Sequence, residues 1–175
     1  MTNNFPTLES NRLLLRQLKD NDIENVFKGL SHPDIIKYYG ISFNSLEATQ
    51  EQMDWFANLE ATKTGIWWAI CSKDDGTFLG AGGLNDKNEH KAEIGFWLFP
   101  EHWGKGYMTE AMPLICAYAF DVLDLNKIEG FVETENNNCK KALAKLQFNL
   151  QETQVDCEVK NGKLISIDVY TKMKS

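Results

Sequence analysis

The sequence has no excess of positive charge, no clustered cysteine or histidine and no long apolar run, and each shortage argues against a class of function. Lys and Arg number 18 against 25 Asp and Glu, a formal net charge of −7. A surface of that sign repels a phosphate backbone, which argues against nucleic acid as the main partner. No apolar stretch approaches the roughly 20 residues that a spanning helix needs, which argues against a membrane. Met1-Thr2-Asn3-Asn4-Phe5 has neither the basic stretch nor the apolar region of a signal peptide. The 4 cysteines (Cys71, Cys116, Cys139, Cys157) form no close pair, so neither a zinc site nor a disulfide scaffold is signalled. The default is reduced thiols, most of them packed as small hydrophobes. The 3 histidines (His32, His90, His102) are equally dispersed, and no metal site is expected. The expectation is a soluble, cytoplasmic protein.

What is present is an ordinary globular composition, 43% apolar over 175 residues, enough for one domain with a sizeable core. The elements alternate in type along the whole chain. Leu13 to Leu18 reads as a strand, and Asp20 or Asn21 caps a helix to about Leu30, with Ile23, Val26, Phe27 and Leu30 at helical spacing. Ser31-His32-Pro33-Asp34 opens a short helix that Gly40 ends, and a longer one runs from Asn44 or Ser45 to about Thr62. The period then changes. Ile66 to Cys71, Phe78 to Leu84 and Ala92 to Leu98 read as antiparallel strands, the first two joined by a Lys73-Asp74-Asp75-Gly76 turn. After Gly104-Lys105-Gly106 comes a long helix, with a bend expected at Pro113, whose ring should free the Thr109 carbonyl. A strand at Ile128 to Val132, a helix carrying Ala142, Leu143 and Leu146, and a hairpin about Asn161-Gly162 complete the chain. No linker, repeat or low-complexity tract interrupts it.

Chemistry concentrates in the strand, glycine loop and long helix at residues 92–122. Glycines between a strand and a helix let backbone approach a ligand, and the first-turn amides of the helix lack intrahelical partners. With the helix dipole they form an anion site suited to a diphosphate. Gly-x-Gly alone is equally a tight turn. It lacks the third glycine of a dinucleotide fingerprint and the Ser/Thr of a Walker A loop, which leaves nucleotide binding a poor third reading.

The segment Glu101-His102-Trp103-Gly104-Lys105-Gly106-Tyr107-Met108-Thr109-Glu110-Ala111 resembles the acetyl-CoA loop of the GNAT superfamily of N-acetyltransferases. More narrowly it resembles the Rim-type branch, which acetylates protein N-termini, ribosomal proteins among them. Thr7 to Arg16, Ala92 to Leu98 and Asn136 to Phe148 agree in order and spacing, so the resemblance covers residues 7–172. It implies one α/β domain of α+β type. A mixed, mostly antiparallel sheet would be flanked by helices, with two splayed strands holding acetyl-CoA as co-substrate. Backbone groups of Phe96, Trp97 and Leu98 would meet the pantetheine arm. Amides from Trp103 through Gly104, Lys105, Gly106 and Tyr107 to Met108, with the Thr109 hydroxyl, would hold the pyrophosphate, and the Asn136 side chain would contact the coenzyme. The sequence departs from the superfamily pattern at three positions. Glu101 stands where Gln or Arg is usual, Cys139 where the branch commonly has serine, and Leu143 where many members have a tyrosine acting as acid.

Acetyl transfer to an amine needs a neutral amine, a polarised thioester carbonyl and a stabilised departing thiolate. Glu93 is the candidate base, although strand alternation equally aims it at solvent or at a structural partner. Cys139 is a packed small residue, a proton donor to the coenzyme thiolate, or a nucleophile, the last requiring a lowered pKa and a base that the sequence does not show. Tyr38 and Tyr39 are candidates for the acceptor mouth, while Trp67 and Trp68 read as core. The leading function is direct, ternary-complex transfer to a protein or peptide N-terminal amine. The alternatives are a small-molecule amine such as an amino acid, polyamine or drug, and a non-catalytic acyl-CoA sensor on the same fold. A homodimer is compatible with the sequence.

Overall fold

The structure is a computed structural model describing residues 4–175; of the N-terminal segment read above, the first three residues lie outside it. Among the described residues there are eight strands: β1 (Leu8–Glu9), β2 (Leu13–Gln17), β3 (Ile66–Ser72), β4 (Phe78–Asn85), β5 (Lys91–Leu98), β6 (Lys127–Glu133), β7 (Asn149–Lys160) and β8 (Lys163–Met173). The α-helices are α1 (Ile23–Leu30), α2 (Pro33–Ile36), α3 (Leu46–Thr62), α4 (Tyr107–Ala117) and α5 (Asn137–Lys145). The strands form one sheet in the order β1-β2-β3-β4-β5-β6-β8-β7. Every pairing is antiparallel except that of β5 with β6. Among the described residues no helix is long and apolar enough to cross a membrane.

Period-2 alternation distributes the central strands between two cores. Trp68, Ile70, Ala92, Ile94 and Leu98 join Ala111, Met112 and Ile115 of α4 and Leu143 of α5. Trp67, Ala69, Ala81 and Trp97 join Val26 and Leu30 of α1 and Met53, Phe56 and Leu59 of α3. Adjacent tryptophans therefore anchor opposite layers, and both are buried as the sequence predicts. Two glycines are required on the α1–α3 face. A Cβ at Gly83 would stand 2.5 Å from Cγ of Trp67, and one at Gly95 2.8 Å from its Cζ2, so the indole lies flat across both.

The structure differs locally from the sequence prediction. A short β1 precedes β2. The front of the first helix is a 3-10 turn at Asp20–Asp22. The cap of α2 is His32, whose Nδ1 accepts from the Asp34 amide at 3.1 Å. Helix α4 passes Pro113 without ending, and its departure from α geometry falls later, in a π-helical turn at Tyr118–Val122. Thr109, whose carbonyl Pro113 frees, is exposed, so that group is open to solvent.

Strands β5 and β6 pair over only three positions, Lys91 to Glu93 against Lys127 to Glu129. Each then follows its outer partner: β5 stays with β4 to Leu98↔Gly80, and β6 with β8 to Glu133↔Ile167. The sheet is parted there.

Candidate functional site

The parted strands enclose a cleft of about 100 Å³. Its wall on the α4–α5 side is made by Ile94, Val132, Asn136, Cys139 and Leu143, and Phe131, Tyr38 and Tyr39 close it towards α2. The cleft thus runs through the sheet from one helical layer to the other. Ladder alternation decides which backbone groups of β5 face it. The Phe99 amide donates to Leu79 of β4 at 2.9 Å, and the Trp97 carbonyl lies 2.1 Å from where a Cβ of Gly80 would begin. The main-chain groups of Trp97 therefore belong to the β4 ladder, whereas those of Phe96 and Leu98 point the other way. The Leu98 carbonyl is already occupied by Nε1 of Trp103 at 2.9 Å.

The glycine loop lies between the 3-10 turn at Pro100–His102 and α4. Gly104 and Gly106 have φ of +75° and +79°, the left-handed region that favours glycine. Among the described residues the amides of residues 104–109 have no hydrogen-bond partner, and the first loop amide to be satisfied is that of Glu110, on the Gly106 carbonyl at 3.1 Å. The Thr109 hydroxyl donates to the same carbonyl at 3.0 Å. Six consecutive free amides at the start of an 11-residue helix are an anion cradle. Glu101 is exposed and faces away towards Lys28, at 3.9 Å.

On the opposite face, Glu93 and Glu129 occupy the last paired position before the strands part. Asn85 donates through Nδ2 to Glu93 (3.3 Å) and to Asp86 (3.0 Å), and accepts from Nε1 of Trp67 at 3.2 Å. Burial, the adjoining Asp86 carboxylate and the charge of Glu129 push the Glu93 carboxyl up to about 7. Glu129 is itself paired with Lys91 at 2.8 Å. Alternation therefore places Glu93 away from the glycine loop, where the strands part and against Asn85, while the cleft lining on β5 is Ile94, Gly95 and Phe96.

Cys139 lines the cleft from the first turn of α5, and burial pushes its thiol up to about 12. Asn136 caps that helix, its Oδ1 accepting from the Cys139 amide at 3.3 Å, which leaves the Nδ2 protons free. Among the described residues the Tyr39 hydroxyl has no hydrogen-bond partner, and burial raises its phenol above the ordinary value. Sequence reasoning missed the frame of the site. Lys160 on β7 donates to the Ile36 and Lys37 carbonyls (3.4 and 2.8 Å) and to Glu133 (2.7 Å), which ties the hairpin to the segment carrying Tyr38 and Tyr39. Buried Asp168 holds Thr153 (2.5 Å) and Lys140 (3.2 Å), fixing α5 to β8. No local motif signals either tie, since each joins residues distant in the chain.

Comparison with known proteins gives this geometry a family. Residues 12–149 match the Acetyltransferase (GNAT) domain. The uncharacterized N-acetyltransferase YoaA of Bacillus subtilis is 32% identical over 173 residues, 97% of this chain and 98% of that protein. Among solved structures, the ribosomal L7/L12 alpha-N-protein acetyltransferase RimL in complex with coenzyme A superposes with a TM-score of 0.87 at 16% identity, covering 96% of this chain and 98% of that one. Spermidine N-acetyltransferase from Vibrio cholerae, in complex with CoA and spermine, gives 0.84 at 20% identity over 94% and 96%. The parted sheet, the glycine loop and these matches agree: the chain belongs to the GNAT family and is an N-acetyltransferase.

Proposed function

We propose that this enzyme transfers acetyl from acetyl-CoA directly to the N-terminal amine of a protein or peptide, with residues 7–172 acting as one unit. The observation that carries this reading is the cleft itself, with an anion cradle on one face of the sheet and a carboxylate of raised pKa on the other. The residues present fit the coenzyme. Amides 104–109 match its diphosphate, and the free main-chain groups of Phe96, the Leu98 amide and Nδ2 of Asn136 match the amides of a pantetheine arm. The coenzyme supplies the acetyl group as a thioester.

The chain's own residues do the rest. The outward amides of Phe96 and Leu98 hold the arm and polarise the carbonyl. Glu93 takes the proton of the incoming amine on a carboxylate oxygen, directly or through a water. A carboxyl near 7 is well matched to an α-amine, whose pKa is near 8, and poorly matched to a lysine-like amine near 10.4. That contrast favours an N-terminal acceptor over a polyamine. Cys139, with its thiol at about 12, is a hydrogen-bond donor to the departing sulfur and not a nucleophile.

C139A is expected to lower kcat by about 5- to 20-fold, the loss of one donor to the leaving group, with CoA affinity within about twofold of wild type. C139S, which keeps a donor, should recover most of that loss. Wild-type turnover in C139A would remove the thiol from the mechanism. The function as a whole is tested by thiol release from acetyl-CoA against N-terminal peptides, amino acids and polyamines, with mass spectrometry of the products. Release with peptides and a gain of one acetyl group at the α-amine is the expected result. Release with polyamines alone would transfer the assignment to alkyl amines, and CoA binding without release would favour a sensor.

A further inference from the structure

We propose that Arg12, in the bend immediately before β2, is a positioning residue that sets the coenzyme loop in its binding conformation; this rests on the acetyl-CoA reading above. Its guanidinium meets the loop and the first turn of α4 through three contacts. Nη1 donates to the Lys105 carbonyl at 3.0 Å, Nε to Oε1 of Glu110 at 2.7 Å, and the plane lies 4.5 Å from the centroid of the Tyr107 ring. Nη2 stands 3.4 Å from where a Cβ of Gly106 would begin. The Arg12 amide also donates to Oε2 of Glu110 at 2.9 Å, and the Ser10 hydroxyl donates to the same oxygen. The bend before β2 and the first turn of α4 are thus clasped together across the loop.

The consequence follows from peptide geometry. In a planar trans peptide the carbonyl and the next amide point in opposite directions. Holding the Lys105 carbonyl against Arg12 therefore turns the Gly106 amide outward, away from β2, into the row of free amides. Without the clasp the Lys105–Gly106 peptide can flip, because the change falls on φ of Gly106, which tolerates either sign. A flip would present a carbonyl to the diphosphate. Glu101, just before the loop, faces away towards Lys28 and is not part of this clasp.

The test is CoA affinity by calorimetry for wild type, R12M and R12K, with turnover of acetyl-CoA and of S-acetylpantetheine, which has no diphosphate. R12M is expected to raise the CoA Kd by about 10- to 30-fold, in line with a lost charge-assisted bond. R12K should recover part of this, because an ammonium can reach the carbonyl but cannot also form the fork with Glu110. The loss should be confined to Kd and KM for the full coenzyme, with kcat/KM for S-acetylpantetheine changed by less than about twofold. R12M binding CoA like wild type overturns the proposal, and so does an equal loss with both acetyl donors, which would mark a general effect on the fold. Wild-type protein that binds no CoA would instead overturn the acetyl-CoA reading on which it rests.

Discussion

An E93Q variant is expected to turn over a peptide amine about 100- to 1000-fold more slowly than wild type while binding CoA normally. General-base catalysis contributes on this scale, and glutamine keeps the shape of the side chain but cannot take a proton. The pH profile makes the role specific. Glu93 must be ionised to act, so wild-type kcat/KM should rise through a midpoint of about 7 as pH increases. In E93Q that limb should vanish, leaving only the ionisation of the amine near 8. The stability consequence has the opposite sign to the usual carboxylate case. The folded state holds the Glu93 proton more tightly than the unfolded chain, so the stabilisation is complete below about 4.5 and is lost as pH rises through 7. E93Q should therefore melt a few degrees above wild type at pH 8 and level with it only at about pH 4; partial exposure of the carboxyl keeps the shift modest. Unchanged kcat with an unchanged profile would assign Glu93 to structure alone.

The second large effect is expected at Gly106. Its φ of +79° is poorly tolerated by a β-branched residue, and a Cβ there would also stand 3.4 Å from the Arg12 guanidinium. G106V should force the turn out of the left-handed region and scatter the amide row, raising the CoA Kd by about 100-fold or more. The loop is exposed, so the melting temperature should fall by only a few degrees. Calorimetry and a thermal melt on the same sample distinguish the two. A large loss of melting temperature would mean that the loop is part of the folding core, and unchanged affinity would mean that its amides do not hold the coenzyme.

Local patterns carried much of this into the sequence. The alternation in Ala92 to Leu98, the glycines at 104 and 106 and the Asn161-Gly162 turn each express a backbone requirement that residue type alone reveals. The parted strands were legible only through resemblance, because nothing in Ile128 to Val132 says that its pairing with β5 stops after three positions. The raised pKa of Glu93 depends on Asp86 and Glu129, which reach it across neighbouring strands. Arg12 and Glu110 were equally hidden. They are separated by 98 positions, and each reads singly as an ordinary surface charge. Pro113 is a strong local signal that the helix nonetheless runs through.

The last strand carries a consequence for how the molecule meets copies of itself. β7 is the open border of the sheet, 12 residues long and exposed along nearly its whole length, with Val155 and Val159 bare. Its register against β8 slips twice, between Leu150 and Glu152 and again between Gln154 and Glu158, and Asp156 adopts a φ of +48°. No uninterrupted run of its ladder exceeds three residues. Such a border is a broken template: an incoming strand loses step before it can zip. The sheet is thereby kept from growing outward at high concentration, and a homodimer would have to form through side-chain packing and not through a continued ladder.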